Sequence, residues 1–251
     1  MSKACATGTC AVHGPAASIL PKSVLARHHV GAAGGRRCKL APMPARKTEL
    51  ELLRHQDVLA HCRACPRMQS TPVIGNPVVS QVLLVGQAPG PKEPAIGKPF
   101  AWTAGKMLFR WFAQIGLDEE AFRGRVYMAA VCRCFPGKRP GGGDRVPDPD
   151  EIENCAGWLD AELALLEPKL VIAAGKLAIQ WFMPLDKLDA VVGRLHRIRY
   201  GKITFDLAPL PHPSGASTWQ HVQPGKTLLP RALQAIAAHP AWRAILVSGK
   251  P

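Results

Sequence analysis

Short apolar runs alternate with amphipathic stretches from residue 48 onward. Four runs are apolar and of strand length, and they predict buried β-strands. They lie in 81–86, 125–131, 169–175 and 202–214, the last with its exit loop. Five stretches between and around them carry apolar residues at helical spacing. These are 48–62, 104–117, 149–168, 176–183 and 226–239.

Residues at the ends of these stretches support the helix predictions. Thr48 is a suitable N-cap, and Gly116 marks the end of the second predicted helix. The third helix begins in a Pro-Asp segment and stops at Pro168. Strands that alternate with helices predict a three-layer α/β/α sandwich around a short, mostly parallel four-stranded sheet.

Two polar motifs follow predicted strands. GQAPG ends the first strand and contains Gln87, and PHPS follows the last strand and contains His212. In parallel α/β sheets the ligand lies at the carboxyl ends of the strands. We therefore expect Gln87 and His212 at one rim of the sheet, far apart in sequence.

The first 47 residues differ from the rest. They are rich in Ala, Gly, Pro and Arg, and 1–48 hold eight Lys/Arg and no acid, leaving +6 of the net +14 for 49–251. We interpret 1–47 as a basic, disordered extension and 48–251 as the folded domain. An organellar transit peptide and a second metal site at Cys5, Cys10 and His13 are weaker alternatives.

The positive charge and the absence of long apolar runs narrow the function classes. No run approaches the roughly 20 residues of a membrane span, so the expectation is a cytoplasmic protein, in the bacterial cytosol or nucleoid. A basic surplus favours nucleic acid as partner, ahead of an anionic membrane. A charge that serves only solubility is the alternative.

Eight cysteines suggest metal chemistry in such a compartment, where disulfides are rare. Cys62 and Cys65 form a C-x2-C pair, whereas Cys134 and Cys155 stand at a strand end and on the next helix. Four thiolates suit either a structural zinc or a 4Fe–4S cluster, and spacing alone leaves both open. Buried apolar cysteines are the alternative for any single one.

Taken in order, the motifs resemble one enzyme family. The segments GQAPG, GKPF and AGKML, then VYMAAVCRCFPGK and PDPDEIENC, then HPSGAS resemble the iron–sulfur uracil-DNA glycosylases of family 4 and 5 type. The resemblance implies a DNA repair glycosylase that hydrolyses the N-glycosidic bond of uracil or another deaminated base and leaves an abasic site. It also implies a 4Fe–4S cluster on Cys62, Cys65, Cys134 and Cys155, with Cys132 as an alternative third ligand.

The resemblance also implies roles at the strand ends. A glycosylase flips a base out of the stack, and Phe100 would stack on that base. His212 would donate a hydrogen bond where charge develops on the departing base. Backbone N–H groups of the Gly86–Gly90 turn would hold substrate and a water molecule. The implied substrate-binding residues are Gly86, Ala88, Gly90, Phe100, Ala130 and Ser214.

Two positions depart from the family pattern. Gln87 stands where family 4 enzymes usually carry Glu, and an amide orients water but cannot take its proton. Glu93 is the nearest carboxylate and is our candidate base. Ala130 stands where the family often carries the Asn that binds the uracil edge, so selectivity is expected to be lost, relaxed or supplied from elsewhere.

Basic and aromatic residues extend this prediction to DNA binding. Lys138, Arg139 and Arg145 lie in a loop that is longer than usual, and Trp219 follows the HPSGAS segment. We expect DNA, single- or double-stranded, as the partner of a monomer that binds no membrane. The alternatives are a non-catalytic or lesion-specialised iron–sulfur protein of the same fold, and a zinc protein that binds nucleic acid.

Overall fold

A five-stranded sheet forms the centre of the fold in the computed structural model, which describes residues 43–215 and 217–247. The strand order is β2-β1-β3-β5-β4, and only β4 runs antiparallel to its neighbour. The strands are β1 Val82–Gly86, β2 Tyr127–Ala130, β3 Leu170–Ala174, β4 His196–Tyr200 and β5 Ile203–Leu210. Every residue of β1 and β3 is buried, as expected for central strands of a covered parallel sheet.

Helices connect the strands and follow the last one. They are α1 Met43–Ala60, α2 Glu93–Ile96, α3 Thr103–Ala113, α4 Glu119–Arg125, α5 Pro149–Leu166, α6 Lys176–Phe182, α7 Leu188–Val191, α8 Gly225–Ala238 and α9 Pro240–Val247. A short 3-10 turn, Trp219–His221, precedes α8.

Aromatic and helix–helix contacts define the two outer layers. Phe112 of α3, Phe122 of α4 and Trp242 of α9 pack together, with ring centroids 4.5–6.2 Å apart. Helix α1 packs against α5. The chain crosses from β1 to β2 and then back across β1 to β3. Since such crossovers are right-handed in almost all parallel sheets, we expect α3 and α5 on opposite faces of the sheet.

The predicted fold class is confirmed, with one correction to the strand count. The four predicted strands are present, but the sheet has a fifth strand, β4, so the prediction of four strands was wrong. Along β4 the burial alternates between half-buried and exposed, with Arg197 and Arg199 outward. An edge strand of this kind has no apolar run, which is the signal that identified the other four.

The N-terminal prediction lies mostly outside the described residues. The predicted boundary at residue 48 falls within α1, which begins at Met43. Cys5, Cys10, His13 and Cys38 lie outside the described residues, as do residues 1–42 of the predicted extension. Among the described residues, no helix is both long enough and apolar enough to cross a membrane.

Candidate functional site

A pocket of about 140 Å³ opens at the carboxyl ends of the parallel strands. We call it the strand-end pocket. Its walls come from the turn after β1, from the last residues of β2 and from the segment after β5. The volume is below the roughly 300 Å³ of common ligand pockets. It therefore suits a small ligand.

Phe100 forms one wall of the strand-end pocket in an unusual backbone conformation. Its φ of 52° lies in the left-handed region, which is costly for a bulky residue. A Cβ on Gly86 would lie 2.8 Å from Phe100 Cζ, and one on Gly105 would lie 1.6 Å from the Phe100 carbonyl oxygen. Both glycines are therefore needed for this placement of the ring and its backbone.

Arg123 of α4 stabilises the backbone turn at Phe100. Its guanidinium donates hydrogen bonds to the carbonyl oxygens of Pro99 at 2.9 Å and Phe100 at 3.2 Å. The same group pairs with Glu119 at 2.9 Å and lies 4.7 Å from the ring centroid of Phe109. These contacts fix a backbone that its own φ disfavours.

His212 reaches the pocket two residues after β5. The backbone N–H of Gly175 donates to the carbonyl oxygen of Leu210, which ties this strand end to the start of α6. Burial lowers the pKa of His212, and the negative charge of Asp144 opposes this only in part. At neutral pH the imidazole is accordingly neutral, with one N–H available as donor.

Glu93 is the buried carboxylate of the pocket. Burial raises its pKa to about 7. Hydrogen bonds from the backbone N–H groups of Phe100 and Gly90, and the positive charge of Arg123, lower the pKa but do not outweigh burial. These bonds also connect the turn after β1 to Phe100. Glu93 therefore both braces the pocket and changes its charge near neutral pH.

The other residues predicted for this site lie in several places. Gly86, Ala88, Gly90, Ala130 and Ser214 line the strand-end pocket. Gln87 is half-buried. Its neighbours Gly86 and Ala88 are among the described residues that line the pocket, but Gln87 is not. Its carbonyl oxygen accepts a hydrogen bond from the N–H of Cys132 and so extends the pairing of β1 with β2.

Several pocket residues were missed from the sequence, among them Asp144 and Trp102. Asp144, in the loop after β2, lines the pocket. So does Trp102, which is 47% exposed, with Lys106 Nζ 5.8 Å from its ring centroid. Trp102 follows the GKPF segment after one residue, and a second aromatic two positions after Phe100 was a usable signal. No local pattern distinguishes Asp144 from an ordinary loop acid.

The glycine-rich loop (137–145) forms a tight turn in which only some cations face solvent. Arg139 is exposed, and Lys138 pairs with Asp144 at 2.6 Å. Arg145 instead bonds protein carboxylates, with Nη1 2.7 Å from Glu151 Oε2 and 2.9 Å from Asp148 Oδ2. The main role visible for Arg145 is to anchor the loop on α5.

Trp219 lies in the 3-10 turn, away from the strand-end pocket. Its indole Nε1 donates to Asp189 at 2.6 Å, and the ring packs where α8 begins, at Gly225. The side chain is partly buried. Contact with DNA stays a prediction for Trp219.

A second cavity, of about 270 Å³, contains the four predicted cysteine ligands; we call it the cysteine cavity. Cys62 follows α1, Cys65 lies in the next loop, Cys134 follows β2 and Cys155 is on α5. All four are free thiols. Among the residues that the structure describes, no three His, Cys, Asp or Glu side chains are spaced to hold one metal ion.

Cys132 is absent from the described lining of this cavity. It is fully buried, and its thiol donates to the carbonyl oxygen of Glu151 at 3.7 Å. A hydrogen bond from Cys132 lowers the pKa of Cys155 to about 7, whereas burial raises that of Cys134 to about 12. The two candidates for the third ligand thus differ in position: Cys134 lines the cavity, and Cys132 supports Cys155.

Comparison with known proteins identifies relatives over most of the folded part. The sequence model of the Uracil DNA glycosylase superfamily matches residues 72–236. A type-4 uracil-DNA glycosylase of Archaeoglobus fulgidus is 32% identical over 151 residues, 56% of this chain and 71% of the relative. One of Pyrobaculum aerophilum is 28% identical over 174 residues, covering 66% and 84%. A type-5 uracil-DNA glycosylase of Thermus thermophilus is 30% identical over 154 residues, covering 49% and 67%.

Proposed function

Because the chain belongs to the uracil-DNA glycosylase superfamily, we propose that it is a DNA repair enzyme that hydrolyses the N-glycosidic bond of uracil in DNA. The observation that carries this proposal is the strand-end pocket, where Phe100, His212 and the turn after β1 surround a space for one base. The names of the relatives favour this activity over a non-catalytic DNA-binding role.

The proposed reaction uses residues from each wall of the pocket. The flipped base stacks on Phe100 while a water molecule, held at the Gly86–Gly90 turn, attacks C1′ of the deoxyribose. The C1′–N1 bond breaks with its electron pair on the base, whose oxygen accepts a hydrogen bond from His212. The proton of the water passes to Glu93, and Gln87 supports the turn through its backbone.

Ala130 gives the pocket a methyl group where an amide would bind the edge of uracil. Sites that hydrogen-bond a substrate discriminate strongly, and sites without the partner discriminate weakly. We propose that the pocket accepts uracil with relaxed selectivity and admits other deaminated bases. Ser214 and Thr103, which also line the pocket, carry side-chain hydroxyls that could bind the base instead.

We propose that DNA lies across the rim of the strand-end pocket. Trp102 is half-exposed there, beside Lys106, and Lys138 and Arg139 project from the glycine-rich loop. Stacking of a base on an aromatic side chain contributes about 1–3 kcal/mol without sequence preference. Trp102 is therefore our candidate for stacking a nucleotide next to the flipped one, and Trp219 is a second, less exposed candidate.

The function is tested with oligonucleotides that carry uracil, hypoxanthine or xanthine, single-stranded and paired. Base release leaves an abasic site, which alkali converts into a strand break. We expect release of uracil, with weaker release of the other deaminated bases. Binding of the same oligonucleotides without release of any base, at enzyme in excess, would favour the non-catalytic alternative and refute the proposal.

The pKa of Glu93 leads to a pH prediction. If Glu93 takes the proton, activity requires its ionised form, so the rate of base release rises with pH up to about 7 and then levels. Glu93→Gln is expected to remove this dependence and to lower the rate by about 100-fold. The measurement is the single-turnover rate from about pH 5 to 9. An unchanged acidic limb in Glu93→Gln would assign the titration to another group.

We further propose that the cysteine cavity holds a 4Fe–4S cluster. Four thiols from three segments surround one cavity whose volume, about 270 Å³, exceeds the space of a single ion. This supports a cluster over the zinc alternative. When bound, the cluster would join the segment after α1 to the segment after β2 and to α5. Its role would be structural.

Variants of Cys134 and Cys132 test the ligand assignment. The purified wild type is expected to be brown, with an absorption band at roughly 400 nm. Cys134→Ala should lose most of the band and the bound iron, because its thiol lines the cavity. Cys132→Ala, two residues away, removes a hydrogen bond to Cys155 but no thiol that lines the cavity, and should keep most of both. A colourless wild type that contains one zinc per chain would show the zinc alternative to be correct.

A further inference from the structure

Two carboxylates from different segments meet at Gly90 in the strand-end pocket. A Cβ on Gly90 would lie 3.7 Å from Asp144 Oδ2 and 3.9 Å from Glu93 Oε1. Glu93 begins α2, directly after the turn, whereas Asp144 comes from the glycine-rich loop, more than 50 residues further along the chain. The loop therefore contributes an acid to a pocket whose turn carries the neutral Gln87.

The loop holds Asp144 in a defined position. Lys138 and Asp144 form a β-bridge, and the N–H of Arg139 donates to the carbonyl oxygen of Gly143 at 3.0 Å. The turn between them is possible because Gly141, Gly142 and Gly143 all have positive φ. Arg145 then fixes the base of the loop through Glu151 on α5.

The two oxygens of Asp144 have different surroundings. Oδ1 accepts a hydrogen bond from Lys138 Nζ at 2.6 Å, which compensates the negative charge at the loop. Oδ2 is the atom that lies on the Gly90 side, toward the pocket. The pairing with Lys138 thus leaves the other carboxylate oxygen on the side of the turn that is proposed to hold the water.

Glu93 is in a contrasting environment. It is buried, accepts hydrogen bonds from the N–H groups of Phe100 and Gly90, and is protonated over a wider range of pH than an ordinary carboxylate. Two neighbouring acids whose environments differ in this way can divide their tasks. One can accept a proton while the other remains charged.

We propose that Asp144 is a catalytic carboxylate of this pocket, whose Oδ2 faces the deoxyribose and stabilises the positive charge that develops at C1′ as the N-glycosidic bond breaks. The inference rests on the proposed function. A carboxylate on the side of the base would oppose the departing electron pair, so the sugar side is the productive one. Asp144 forms no bond in the step; the water still adds to C1′, and its proton still passes to Glu93.

The test compares single-turnover rates of uracil release by four proteins at saturating enzyme. These are the wild type, Asp144→Asn, Asp144→Glu and Glu120→Gln. Asp144→Asn keeps the shape of the side chain but removes its charge. We expect the rate of uracil release to fall on the order of 30-fold. One buried electrostatic group raises a rate by about 100-fold, and the effect is smaller here because Asp144 is partly exposed. Asp144→Glu should regain part of the rate. Glu120, an exposed acid of α4, is the matched control and should change the rate by less than about twofold.

A pH profile separates direct action from a structural role. The charged and titratable groups near Glu93 are Asp144, Arg123 and Lys92, with His212 across the pocket. Removing the negative charge of Asp144 lowers the pKa of Glu93, so the acidic limb of the Asp144→Asn profile should move to lower pH. Loss of the loop structure alone would lower DNA affinity instead, which saturating enzyme removes from the measured rate.

The outcomes separate this inference from the proposed function. Uracil release by the wild type together with a rate of Asp144→Asn equal to that of Glu120→Gln would overturn the role of Asp144 and leave the function standing. The absence of uracil release by the wild type would overturn both. A slow Asp144→Asn protein that melts at the wild-type temperature, with a shifted acidic limb and partial rescue by Asp144→Glu, is the result that supports the inference.

Discussion

Replacing His212 by alanine is expected to lower the rate of uracil release by about 10²–10³-fold, or about 2.7–4 kcal/mol in the barrier. The departing base becomes negative as its bond to C1′ breaks, and a fixed N–H donor stabilises that charge more than it stabilises the neutral substrate. Because burial lowers the pKa of His212, the donor is a neutral imidazole, and its contribution should persist to high pH. Single-turnover rates at saturating enzyme, measured across neutral and alkaline pH, test this.

His221 provides a matched control for the His212 variant. It is an exposed histidine of the 3-10 turn and is absent from the described lining of the strand-end pocket. His221→Ala is expected to keep the single-turnover rate within about twofold. If His212→Ala also stayed within about tenfold of the wild type, a donor other than His212 would have to stabilise the departing base.

The central strands and the edge that carries the site could be predicted because their signals are local. Continuous apolar runs identify strands that are covered on both faces, and the ends of those runs place GQAPG and PHPS at one edge of the sheet. Strand β4 and helix α4 lack such runs, so their existence depends on partners in the folded chain. The position of Arg123 behind Phe100 could not be predicted for the same reason.

Charged residues were the least predictable part of the candidate site. Arg145, grouped with Lys138 and Arg139 as a cation of one loop, bonds Glu151 and Asp148 instead of facing solvent. Asp144, adjacent to it, turns toward the strand-end pocket. The sequence gives the charge of each side chain but not the direction in which it points. In this loop that direction depends on the backbone turn formed by three consecutive glycines with positive φ.

A buried ion pair connects the cysteine cavity with the strand-end pocket. Arg133, between Cys132 and Cys134, donates to both carboxylate oxygens of Glu162 on α5 and, through Nε, to the carbonyl oxygen of Ala130 at 2.9 Å. Neither side chain of the pair has appreciable exposure. Burial alone would raise the pKa of Glu162, but Arg133, with hydrogen bonds that include one from Tyr127, holds it below the ordinary value.

Glu162→Gln is therefore expected to destabilise the fold by about 3 kcal/mol, because it leaves the charge of Arg133 buried without a counter-charge. For a domain of this size the loss corresponds to a melting temperature roughly 6–12 °C lower. Glu153→Gln, an exposed acid on the same helix, is the control and should shift it by less than about 2 °C. Since Arg133 precedes Cys134, the variant should also retain less of the proposed cluster. Combining Arg133→Met with Glu162→Leu should recover part of the stability, because no charge then remains buried. A Glu162→Gln protein that melts with the Glu153→Gln control would show that Arg133 finds another partner or reaches water.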